Sequence, residues 1–370
     1  MKKIAILCNN ESSRPSDRKE LMLQLHENGF QPYCGGIHSG TVNEYFSEQT
    51  AIFLPIEASR SNTNPLVELK SMMSVKRAIK ANGIECAIVY GVKNHAAMAI
   101  GAKMGGAKRV MCVVNGSGNL FRVGGFKGWL LRRISFPMLR IAYKRSVSVC
   151  FQNSDDLELF IKKRLVKRGD KCFVTGGSGI NLDVFSPAPM PKENRFLLLT
   201  RITPSKGAIE YMRAAEIVKK KYPDAVFDLV GPVDGAVENS IGEQFRKYTE
   251  NGTVAYHGAT TDVPSWMKKC RFFVYPSYYP EGVPRCAIQA IATARPIITC
   301  RTPGCKETVI DGVNGFAVMQ KDVLALSEKM IWMIEHPTEA EKMAEASRRL
   351  AEDKFDVFKV NKQLIDKMKA

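Results

Sequence analysis

The chain has 370 residues, 45% apolar and 25% charged, which excludes a disordered polymer and is too long for one ordinary core, so two domains are expected. Its ten cysteines are scattered without a C-x-x-C pair or a Cys/His cluster, which argues against a zinc module and for reduced, mostly buried thiols in a cytosolic protein. The net charge of +17 is uneven: residues 1–190 hold 27 Lys and Arg against 14 Asp and Glu, and residues 101–171 hold 16 against 4. Such a patch attracts a polyanion, either nucleic acid or anionic lipid headgroups.

The opening "MKKIAILCNN" has too few apolar residues for a signal peptide and reads as a first strand. No run of 18 apolar residues follows anywhere, so no membrane span is expected. The loop "NNESSRPSDRKE" places Arg14, Ser16 and Arg18 between that strand and a helix. They suit an acceptor or phosphate contact, or equally a solvated loop with Asp17 as a helix cap. The strands "CAIVY", "RVMCVV", "VSVCFQ" and "KCFVTG" then alternate with helices such as "NPLVELKSMMSVKRAIKANG", whose apolar residues recur at three and four. His95 stands alone, as structural histidines commonly do. Asp155 and Asp156 read as helix caps, and no D-x-D metal motif ends a strand.

Between two of these strands lies "GGFKGWLLRRISFPMLRIAYKRS". Phe126, Trp129, Leu130, Ile134, Met138 and Ile141 fall at helical spacing among Lys127, Arg132, Arg133, Arg140, Lys144 and Arg145. The helix alone fits a core-facing or a membrane-interface role, and the surrounding charge favours an anionic membrane surface.

The Pro-rich stretch "FSPAPMPKENR" marks a domain junction. After it the pattern restarts with "RFLLLT", "FDLVG", "VAYHG", "RFFVYPS" and "PIITC". Near-continuous apolar strands alternating with helices predict parallel sheets covered on both faces. The expected fold is therefore α/β, with two Rossmann-like doubly wound domains facing across a cleft. The boundaries are placed at 1–187 for the first domain and 188–350 for the second. Residues 351–370 form a last helix, with the option that it packs back on the first domain.

In "LLLTRITPSKGAIEYMRAAEIV", Arg201 and Lys206 flank a helix start, a pattern that can hold a diphosphate or can be two solvated cations. In "YYPEGVPRCAIQAIA", Glu281 lies in the loop before a helix whose first turn Pro284 suits. It could cap that helix or accept hydrogen bonds from a sugar, and Gln289 could bond the vicinal hydroxyls of a ribose.

The segment "PSYYPEGVPRCAIQAIATARPIITCRTPGCKETVIDGVNGFAV", with "LLLTRITPSKG" and "VTGGSGINLDVFSPAP" before it, closely resembles glycosyltransferase family 4. These are retaining, metal-independent enzymes of the GT-B architecture. The resemblance implies that Arg201 and Lys206 hold the donor diphosphate and that Glu281 contacts the transferred sugar. The backbone N–H groups of Gly282, Val283 and Pro284 would lie nearby. The family normally has a second Glu where this chain has Gln289, so the ribose contact would be made by an amide.

"VYGVKNHAAMAIGAKMGGAKRVMCVVNGSGNLF" is similar to the branch that glycosylates polyprenyl-diphosphate-linked sugars in bacterial surface polysaccharide assembly. On that likeness Lys93, Asn115 and Gly116 join Arg14 and Arg18 as acceptor contacts. The resemblance implies no cofactor and no metal. It implies a nucleotide-sugar donor, UDP-linked, and a lipid-linked saccharide acceptor met at the cytoplasmic membrane face by a peripheral enzyme. A soluble acceptor, sugar-nucleotide epimerase chemistry and a basic nucleic-acid-binding protein are the alternatives. The last has no recognisable module behind it.

Overall fold

In the first half, the apolar runs form seven parallel strands: β1 Lys2–Leu7, β2 Phe30–Gly36, β3 Ile52–Pro55, β4 Cys86–Tyr90, β5 Arg109–Val114, β6 Ser148–Phe151 and β7 Cys172–Val174, in the order β3-β2-β1-β4-β5-β6-β7. The description comes from a computed structural model and covers residues 1–8, 15–36, 50–57, 65–169, 171–233 and 235–369. Six further parallel strands form the second sheet: β8 Arg195–Leu199, β9 Val226–Val230, β10 Ala255–Tyr256, β11 Phe272–Tyr275, β12 Ile297–Cys300 and β13 Gly315–Val318, in the order β10-β9-β8-β11-β12-β13. The central strands are buried residue after residue, as a parallel sheet covered on both faces requires.

The chain divides into two compact units. One comprises Met1–Ser178 and Val357–Ala370, the other Gly179–Asp356. In the first, α1 Pro15–Glu27 lies on one face of the sheet. On the other lie α2 Pro65–Asn82, α3 Ile100–Met104, α4 Gly125–Arg145 and α5 Ser154–Lys162. In the second, α6 Ala208–Lys221, α7 Gly235–Glu250, α8 Val263–Lys269, α9 Arg285–Ala292, α10 Val323–Glu335 and α11 Pro337–Lys354 pack on the six-stranded sheet. The last helix, α12 Val357–Lys369, belongs to the first unit and lies against α1. It buries Leu364, Ile365 and Met368 there, each burial contributing about 1.5–3 kcal/mol. Asn361 donates to Gln24 Oε1 at 2.8 Å, which fixes its register on α1.

The Pro-rich segment lies on the second unit. Arg295, fully buried, donates to the carbonyls of Ala188 and Pro189 at 3.0 and 3.1 Å. Among the described residues none of the ten cysteines forms a disulfide, and none is exposed.

Candidate active site

Ligands of open α/β sheets bind beyond the carboxyl ends of the strands. In the second unit the loops leaving β8, β11 and β12 meet there. The β8 loop turns through a short 3₁₀ segment, Pro204–Lys206, and ends at Gly207, whose φ of +77° is left-handed. A Cβ at Gly207 would stand 2.3 Å from the carbonyl oxygen of Pro276, so only glycine lets this turn lie on the β11 loop. Tyr278 N–H donates to Ser205 O at 3.0 Å and joins the same two loops. The β12 loop is held by Thr302 Oγ1, which donates to Ser277 O at 3.0 Å. Gly304, with φ +81°, presses on the carbonyl of Gly282.

This packing brings Lys206 and Glu281, 75 residues apart in sequence, into contact. Lys206 Nζ donates to Glu281 Oε1 at 2.6 Å and to the Tyr275 hydroxyl at 3.0 Å. The Tyr275 hydroxyl donates to the same carboxylate oxygen at 2.5 Å, and Ser277 Oγ does so at 3.1 Å. Glu281 Oε1 thus collects one charged and two neutral donors. The Lys206 ammonium also lies 4.9 Å from the centre of the Tyr279 ring, within cation–π range. The two charged side chains are only 10% and 17% exposed, so water screens the pair weakly. Burial and the neighbouring Glu281 charge push the Tyr275 phenol well above its usual range, and it stays a neutral donor.

Of the residues singled out in the sequence, Lys206 and Glu281 come together. Arg201, in the same loop as Lys206, is exposed and makes no bond to the cluster. Gln289 lies half-buried on α9. Gly282 and Val283 carry an amide N–H, but Pro284 does not. It stands as the N-cap residue of α9, and its carbonyl accepts from Ile288. The expectation of donors along all of 282–284 therefore narrows to two residues. Glu281 does not cap α9, because Pro284 holds that position.

Tyr275 and Ser277 escaped the sequence reading. Their signal is their place at the end of a buried strand, two and four residues after Phe273, where alternate side chains face one side. Tyr275→Phe removes the phenolic bridge and leaves the ring. Losing the hydrogen bond to a carboxylate, about 1.5–3 kcal/mol, predicts a rate roughly 10–100-fold lower, with the greater share in kcat. Steady-state kinetics would reveal this, and equal KM and kcat effects would contradict it.

In the first unit, Gly91, Lys93, Asn115 and Gly116 follow the neighbouring strands β4 and β5 at their carboxyl ends. Lys93 pairs with Glu68 at 3.8 Å, and burial lowers its pKa. Asn115 is exposed. The turn after it is held by Asp156, whose carboxyl bonds the backbone and side chain of Ser117. Burial raises that carboxyl to about 6. Arg18 stacks on the Tyr90 ring at 3.9 Å and lines a small cavity with Gln152, Thr175 and Asn361. Arg14 lies outside the described residues.

His95 is a packing residue. It is fully buried, with Nδ1 3.0 Å from the Tyr143 hydroxyl and Nε2 3.2 Å from the carbonyls of Val89 and Val113. Burial lowers its pKa from 6.5 to about 4. The unfolded chain therefore binds the proton first. The stability this neutral ring contributes is complete above pH 6.5 and is lost as pH falls toward 4. Between pH 7 and 5 the loss is about 2 kcal/mol. Urea unfolding at both values checks it: His95→Asn should remove that share of the pH dependence.

Comparison with solved structures matches the whole chain. The glycosyltransferase from Rickettsia africae aligns over 100% of this chain and 98% of that one, with a TM-score of 0.77 and 18% identity. Anabaena Alr3699/HepE, solved with UDP and glucose, aligns over 100% of both at 0.76 and 17%. Two parallel-sheet α/β units matched in this way are the GT-B fold of glycosyltransferases. Residues 181–350 match the family Glycosyl transferases group 1. Residues 181–350, within the second unit that holds Lys206 and Glu281, thus resemble a group 1 glycosyltransferase domain.

Among characterised relatives, the N,N'-diacetylbacillosaminyl-diphospho-undecaprenol alpha-1,3-N-acetylgalactosaminyltransferase of Campylobacter jejuni is 27% identical over 293 residues, covering 75% of each protein. The capsular polysaccharide biosynthesis glycosyltransferase CapM of Staphylococcus aureus is 30% identical over 156 residues, covering 42% of this chain and 40% of that one.

Proposed function

We propose that the protein transfers a sugar, with retention of configuration, from a UDP-linked donor to a lipid-linked saccharide. The observation that carries the proposal is the Lys206–Glu281 pair, bridged by Tyr275 at the carboxyl end of the second sheet. Lys206 would turn its remaining proton to the donor diphosphate, and exposed Arg201 would swing onto it as a fork. As the bond from the anomeric carbon to phosphate oxygen breaks, charge grows on the diphosphate where these two cations stand. The acceptor hydroxyl forms the new bond on the same face and gives its proton to the departing phosphate oxygen. Glu281 would hold a hydroxyl of the moving sugar, and Gln289 the ribose.

The UDP found with Anabaena Alr3699/HepE supports the donor class, and the undecaprenyl-diphosphate acceptor in the Campylobacter enzyme's name supports the acceptor class. Lys93, Asn115 and Gly116, with Arg14 and Arg18, would receive the acceptor in the first unit, with the enzyme peripheral on the cytoplasmic face of the membrane. With two protein cations on the diphosphate, we propose transfer without a metal ion.

Calorimetric titration with UDP and GDP, each with magnesium or EDTA, tests this reading. Micromolar binding of UDP, unchanged by EDTA and weakened in Arg201→Ala, is the expected result. No binding of either nucleotide overturns it, and dependence on magnesium removes the metal-independent part.

A further inference from the structure

The helix α4 turns its apolar stripe away from the core. Gly128, Leu139, Ala142 and Tyr143 face inward, while Phe126, Trp129, Leu130, Ile134, Met138 and Ile141 are exposed, Phe126 by 74%. Burying these six would ordinarily drive folding, so leaving them together on one face of a helix about 30 Å long marks an interaction surface. The rings of Phe126 and Trp129 stack on each other at 5.6 Å at the start of the helix.

A second exposed stripe stands on the same side of the sheet. Leu66, Leu69 and Met73 line the outer face of α2 at helical spacing. Helix α2 packs on α3, which in turn touches α4. Both long helices run back from the carboxyl ends of their strands, so Leu66, Leu69, Phe126 and Trp129 share the end of the unit where Lys93 and Asn115 lie.

Charge decides the occupant. From residue 86 to residue 154 the chain holds no Asp or Glu. Lys127, Arg133, Lys144 and Arg145 are exposed along α4. Arg132 and Arg140 instead bond main-chain carbonyls, Val123 O and Arg164 O, both at 2.8 Å, and fix the helix in place. A second copy of the chain would set this basic field against itself. Nucleic acid would match the charge and leave the apolar stripe in water. An anionic bilayer satisfies both, because the stripe enters the headgroup boundary while the cations meet the lipid phosphates.

The geometry points to the outer faces of α4 and the first half of α2 as a docking surface for an anionic lipid bilayer. Resting on the lipid-linked acceptor of the proposed function, docking by this face would set Lys93 and Asn115 at headgroup depth, where the phosphates of such an acceptor lie.

The test uses the full chain with vesicles of phosphatidylcholine alone and with phosphatidylglycerol added, read by co-sedimentation. Wild-type protein is expected to bind the anionic vesicles and not the neutral ones. Phe126→Ser, Trp129→Ser and Leu130→Ser combined should weaken that binding at least tenfold, and Lys127→Gln with Arg133→Gln about 30-fold. Neither change should alter UDP affinity measured in the same preparations, which also shows that the variants are folded. Failure of wild type to bind anionic vesicles, or serine variants that bind like wild type, overturns the docking surface. So does a wild-type dimer that the serine changes convert to monomer. Loss of UDP binding in wild type would instead count against the transferase reading and leave the docking result standing.

Discussion

Lys206→Met is expected to lower kcat/KM by roughly 10²–10³-fold, the usual loss when one preorganised donor is removed from a developing negative charge. Methionine keeps the length of the stem, so the change isolates the ammonium. In the unliganded site that ammonium is shared between Glu281 Oε1 and the Tyr275 hydroxyl. Without it, Glu281 loses its charged donor and keeps the neutral donors Tyr275 and Ser277. Lys206→Arg should not restore the rate, because a planar fork cannot place one nitrogen against both partners. Because Lys206 and Glu281 form one unit, Glu281→Gln added to Lys206→Met should cost much less than the sum of the two losses. A loss below tenfold would remove Lys206 from the reaction.

The sheets were legible because parallel strands buried on both faces are written as continuous apolar runs, and "RFLLLT" and "RVMCVV" fall in β8 and β5. The strands that went unread break that rule. β2 carries Pro32 and ends in two glycines, β3 ends in Pro55 at the sheet edge, and β13 is a four-residue edge strand behind a turn. At the site, Arg201 and Lys206 look alike in sequence. The left-handed turn at Gly207 separates them, burying Lys206 against the β11 loop while Arg201 stays exposed. The bridge through Tyr275 was hidden because a tyrosine ending "RFFVY" reads as one more core aromatic. For α4 the periodicity revealed a stripe but not its direction. Packing alone shows that a glycine, an alanine, a leucine and a tyrosine face the core and that the larger apolar set does not.

Arg295→Met should destabilise the second unit by roughly 3–5 kcal/mol, because five main-chain carbonyls lose a charged donor. Arg295 is fully buried. Its Nε donates to Met267 O at 2.8 Å, Nη1 to Ala188 O and Ala294 O at 3.0 and 3.2 Å, and Nη2 to Pro189 O and Lys268 O, both at 3.1 Å. Two of these carbonyls belong to the last turn of α8, where a cation meets the negative end of the helix. Two others belong to the proline segment entering the unit. Burial lowers the Arg295 pKa, yet guanidinium titrates too high to lose its proton at neutral pH. Methionine fills most of the volume but leaves five acceptor bonds unmade, each buried carbonyl costing about 1–3 kcal/mol before relaxation. Arg295→Lys should recover part of the loss, since an ammonium has three donors and no fork. Urea unfolding followed by tryptophan fluorescence is suited to the comparison, because Trp266 and Trp332 lie in this unit and Trp129 in the other. The expected trace shows the transition of the second unit displaced to lower urea. A midpoint within about 1 kcal/mol of wild type would mean that water replaces the guanidinium at those carbonyls.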